Sequence, residues 1–126
     1  MQSAIENSSD YIFEDQIIEL NFREMEAGQT IQIETLNSTY RFLLIDPANG
    51  KGLLSGGSLG QEYYLAFLTG VLGDDREGFA IDSRRLKTGS HALFYLETRQ
   101  GTKSLMLSKI VRLSLILDEI QQEFIA

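Results

Sequence analysis

Between Gln29 and Gly57 the chain alternates apolar and polar residues and is interrupted every few positions by turn formers. Successive side chains of a strand point to opposite faces, so this pattern suits half-buried antiparallel strands and does not suit a helix. Thr30–Thr35 sets Ile31 and Ile33 against Thr30, Gln32 and Glu34. Leu36-Asn37-Ser38 then turns the chain, because Asn tolerates positive φ and Ser bonds nearby backbone. Thr39–Ile45 carries Tyr40, Phe42 and Leu44 on one face and Arg41, Leu43 and Ile45 on the other, so it is apolar on both sides toward its end. Asp46–Lys51 is the strongest turn in the chain. Pro47, the only proline, presets φ, and Asn49-Gly50 supplies positive φ at little cost. Gly52–Ser55 returns as a third strand, and Gly56–Gly60 breaks the pairing.

Further strands follow. Gln61–Leu72 reads as a strand buried on both faces, with a short helix as the competing reading. Gly73–Gly78 is a polar loop, Phe79–Ile81 a short apolar piece and Asp82–Gly89 a basic loop. His91–Thr98 is a strand with Leu93 and Tyr95 opposite Phe94 and Leu96, and Gln100-Gly101 turns it into Lys103–Leu107. Ser108–Leu117 continues as an extended segment with a bulge near Ser108-Lys109. Asp118–Ala126 reads as a short C-terminal helix anchored by Ile120, Phe124 and Ile125. At the other end, residues 10–20 lean toward a helix with Phe13, Ile17 and Leu20 as its stripe. A strand at Ile17–Phe22 is the alternative. The expected fold is mainly β, a small antiparallel barrel or sandwich of about seven strands. An acidic helical or extended arm over residues 1–27 precedes a single β domain over 28–126.

A chain of 126 residues is long enough for one core. It has no cysteine, which removes disulfides and thiolate metal sites and fits a reducing compartment. The start lacks a basic segment followed by an apolar one, and the longest apolar run, Tyr63–Leu68, is too short to span a bilayer. A soluble, cytoplasmic protein without a membrane partner is the expectation. The net charge is −7, and the first 34 residues hold eight acids against Arg23 alone, so they carry the whole excess. Such a balance disfavours nucleic acid, whose phosphates need Lys and Arg.

Gly56-Gly57-Ser58-Leu59-Gly60 satisfies the G-x-S-x-G pattern of a nucleophile elbow, and an aspartate and His91 follow Ser58 in the order of a hydrolase triad. That chemistry needs a parallel sheet with crossover helices, for which the chain has no βα alternation, so Gly56-Gly57 is better read as a turn. Asp74, Asp75 and Glu77 do not match a calcium loop, since Arg76 stands among them. A lone histidine without cysteine makes a poor zinc site, and no metal or cofactor is expected. Tyr40, Phe42, Tyr63, Tyr64, Phe67, Phe94 and Tyr95 sit among Leu and Ile at strand spacing, which suits a core better than a base-stacking platform.

The one concentrated basic patch is Arg84-Arg85-Leu86-Lys87, with His91 close behind. Arginine forks match phosphates and carboxylates, so Arg84, Arg85, Lys87 and His91 are candidate residues for a small anionic ligand or nucleotide. The alternative is a solvated loop, or one that closes against the acidic N-terminal segment. The R-x-x-x-R spacing of PilZ-type cyclic dinucleotide modules is not met by Arg84-Arg85. The leading expectation is a non-catalytic protein that works through protein–protein contact, with a homodimer as one form of it. The reason is that Tyr63–Leu68 and Leu93–Leu96, like the end of the second strand, are apolar on both faces, whereas a layered domain of this size has one core.

Overall fold

The computed structural model describes residues 17–73, 79–80 and 84–116, and these form ten strands with no α-helix. The main sheet is antiparallel and contains β2 (Thr30–Thr35), β3 (Thr39–Asp46), β4 (Lys51–Gly56), β5 (Tyr64–Leu72), β8 (His91–Thr98), β9 (Gly101–Met106) and β10 (Ile110–Ile116), in the order β10-β2-β3-β4-β5-β8-β9. These correspond to the roughly seven strands expected from the apolar runs and turn signals, and Gln61–Leu72 is resolved as a strand. Three short ones join them: β6 (Phe79–Ala80) pairs with β5, while β1 (Glu19–Asn21) and β7 (Arg85–Lys87) form a separate ladder.

The barrel expectation needs correcting, because the order has two ends, β9 and β10, and among the described residues no ladder joins them. The chain brings the ends near one another without pairing them. Leu107 N–H donates to the Ala92 carbonyl, Ile110 N–H to Ser90, and Gly89 N–H to Ile110. Ile17 makes a single antiparallel bridge to Leu113 on β10. The helical reading of residues 10–20 fails over its described part, where Ile17 to Asn21 is extended and continues into a 3-10 turn at Phe22–Glu24. Pairing with β7 outweighs the weak helical stripe. The earlier part of that expected helix and the C-terminal helix at Asp118–Ala126 lie outside the described residues.

The core is the inner face of the main sheet. Ile31, Ile33, Phe42, Leu44, Leu54, Leu68, Phe94 and Leu113 are buried there, and the β1–β7 ladder adds Leu20 and Leu86, which stand opposite each other. Phe22 follows β1 into the same cluster. Its ring lies 6.1 Å from Phe42, which meets Phe94 edge-on at 5.0 Å. Edge-to-face rings at such distances add about 0.5–1.5 kcal/mol beyond their burial. Part of the acidic arm therefore belongs to the core.

Turn chemistry fixes the register. Thr35 Oγ1 accepts from the Asn37 and Ser38 amides, and Asn37 Nδ2 donates to Ser108 Oγ, which ties this turn to the β9–β10 connection. Pro47 begins a 3-10 turn that closes with Gly50 at φ 67°, and Asn49 Nδ2 donates to Asp46 Oδ2. At the open edge β9 carries Lys103 opposite the buried Leu96, on the core side of the sheet yet exposed.

Candidate functional site

The basic loop does not gather its cations. Arg85 and Lys87 flank the buried Leu86 in β7, and both stand against β1. Arg85 Nη1 lies 2.6 Å from Glu19 Oε2, and Glu19 is also the register partner of Lys87. The acidic segment thus closes on the basic one, as the second reading of that loop anticipates. With both side chains more than a third exposed, the pair stabilises by about 1 kcal/mol at most. Arg84 lines a groove of about 570 Å³ between the Phe22–Glu24 and Pro47–Asn49 turns, where Arg23 is also present but Glu26 and Asp46 supply the opposite sign. His91 lies at the start of β8, opposite Leu72, and its Nδ1–H donates to the Leu107 carbonyl.

Ser58 and His91 sit at opposite ends of β5. Ser58 is in the 3-10 turn Gly57–Leu59 just before the Tyr64 end, whereas His91 pairs at the Leu72 end. At about 3.3 Å per residue the strand between them runs about 26 Å. Among the described residues no group of three or more metal-ligating side chains occurs. Asp74, Asp75, Glu77 and Asp82 lie outside the described residues.

Two other features of the main sheet stand out, and both are on its outer face. The first is a set of cross-strand apolar rows. Leu43, Leu53 and Leu65 stand directly opposite one another on β3, β4 and β5. Phe67 on β5 faces Tyr95 on β8, and Leu93 on β8 faces Met106 on β9. Tyr95 and Met106 each keep 46% of their surface exposed, and Ile45 keeps 41%. Lys51 on β4 stands directly opposite Phe67, so one charge ends that row. Glu97 lies two residues beyond Tyr95 on the same face of β8. The sequence signal for these rows is the loss of alternation in β5 and β8, and register turns it into one surface.

The second is a polar cavity of about 360 Å³ at one end of the same face. Its floor is the cross-strand row Gln32, Arg41 and Ser55, and its rim is Thr39, Gln61 and Tyr63. The turn after β4 makes the remaining wall and requires glycine. Gly56 has φ 102° and Gly57 φ 51°, and an added Cβ would strike the Thr39 carbonyl at the first and the Tyr40 ring at the second. Alternation places Arg41 outward, but the row around it depends on register and is invisible one strand at a time.

No protein-family model matches the chain, and no curated protein or solved structure is similar to it.

Proposed function

We propose that the protein acts by association, without catalysis, through the outer face of β3, β4, β5, β8 and β9, and that its partner is a second copy of the chain. The observation that carries this reading is the run of apolar rows across five adjacent strands. An antiparallel sheet needs only one apolar face to fold, and its other face is ordinarily polar. Strands about 4.8 Å apart, with same-face residues about 6.7 Å apart along each, give these rows a flat footprint of roughly 500 Å². That is toward the low end of what a specific partner buries, and it suits a micromolar complex.

Self-association fits the charges at the margins. A two-fold axis along β5 lays the β4 side of one copy over the β8 side of the other. Lys51 then faces Tyr95 and Glu97 of the second copy, and the sheets stack about 10 Å apart. Sedimentation velocity from about 1 to 100 µM brackets such an affinity. The average mass should climb from 14.2 kDa toward twice that value, and a constant 14.2 kDa species would end the proposal.

A further inference from the structure

We propose that the cavity over Gln32, Arg41 and Ser55 binds a small hydroxylated oxyanion, a carboxylate or a phosphate ester, with Arg41 as the anchor. The contrast among the arginines of the fold motivates this. Arg85 has Glu19 and Arg112 has Glu34, whereas the Arg41 guanidinium, like those of Arg23 and Arg99, has neither an ion pair nor a side-chain hydrogen bond among the described residues, and of these three Arg41 lines a cavity whose wall holds no acid. In a chain of net charge −7, Arg41 is the one cation lining this cavity, and the nearby Glu34 is held by Gln32 and Arg112. A guanidinium presents its donors as a planar fork that matches a carboxylate or phosphate with two parallel hydrogen bonds.

Ser55 is the second, independent observation. It keeps only 6% of its surface exposed and lines the cavity, and its hydroxyl has no hydrogen-bond partner among the described residues. Buried hydroxyls are ordinarily satisfied, and a ligand in the cavity supplies what the protein does not. Gln32 donates its Nε2 to Glu34 Oε2 at 3.2 Å, which leaves its own carbonyl oxygen as an acceptor for a ligand hydroxyl. Tyr63, 51% exposed at the rim, offers a ring face for the carbon skeleton. A volume of about 360 Å³ lies at the small end of ligand pockets, which span roughly 300–1,000 Å³. A single cation and the overall negative charge favour one anionic group over a polyanion.

Titration of the full chain with gluconate and with glucose 6-phosphate, read by backbone amide NMR, tests the site, with glucose as the uncharged control. One or both anions should move the Ser55, Gly56 and Gly60 amides while glucose leaves them in place. A response to gluconate alone identifies a carboxylate ligand, and a response to glucose 6-phosphate alone a phosphate ester. Arg41→Gln should weaken binding by about tenfold or more, as loss of a charge-assisted pair does, with the melting temperature held because Arg41 is exposed. Tyr95→Glu, which targets the association face, should leave ligand binding intact, so the two proposals fail separately. Silence of those amides toward both anions, equal binding by glucose, or undiminished binding by Arg41→Gln would overturn the inference.

Discussion

The outer face of the main sheet is two surfaces laid on one core. Over β2 and β10 it is a water-facing surface: Thr30, Gln32 and Glu34 lie opposite Ile116, Ser114 and Arg112, with a 4.0 Å ion pair between Glu34 and Arg112. Over β3 to β9, beyond the Arg41–Ser55 cavity, it carries Leu43, Leu53, Leu65, Phe67, Leu93, Tyr95 and Met106, with Lys51 opposite Phe67. The inner face is equally apolar beneath both, with Ile31, Ile33 and Leu113 under the first and Phe42, Leu54 and Phe94 under the second. Folding therefore does not account for the apolar outer rows, since the β2–β10 region is built into the same sheet without them. What distinguishes the second region is its exterior.

Three experiments break or sharpen this comparison. Phe42→Ala removes a fully buried ring that touches Phe22 and Phe94, and it should cost about 3–5 kcal/mol in denaturant unfolding. A loss below about 1 kcal/mol would mean that the inner face is not the core. Next comes the matched pair Tyr95→Glu and Ser114→Glu, one on each surface. In sedimentation the first should weaken self-association by about 2 kcal/mol or more, as a buried interface aromatic does, and the second should leave it unchanged. Equal effects would erase the distinction between the surfaces. Smallest is Glu19→Gln, which removes the carboxylate from Arg85. It should lower stability by less than about 1 kcal/mol and leave association unaltered, and a larger loss in thermal melts would make that pair more than a surface contact.

Much of this architecture is legible in the order of the residues. Alternation in Thr30–Thr35 and Thr39–Ile45 names the inward residues Ile31, Ile33, Tyr40, Phe42 and Leu44, all buried. Loss of alternation in β5 and β8 foretells the second apolar face. The β7 strand escapes notice because Arg85-Leu86-Lys87 is too short to carry a pattern, and its partner Glu19–Asn21 is far away in sequence. Residues 17–21 mislead for the same reason, since a weak local helical stripe loses to a ladder formed at long range. Arg41 is readable as outward. Its freedom from an acid, and the glycine wall beside it, arise only when three strands are set in register.

Lys103 bears on how large an assembly this chain can build. Among the described residues the outward edge of β9 has no pairing strand, and an unpaired edge invites addition of strands without limit. A charge that points toward the core side at that edge would be trapped by an incoming strand, so lateral growth is opposed. Stacking through the face is self-limiting, because two copies related by a two-fold axis cover each other's patch and leave nothing for a third. On the proposed reading, an apolar exterior together with a charged edge would favour pairs over fibres.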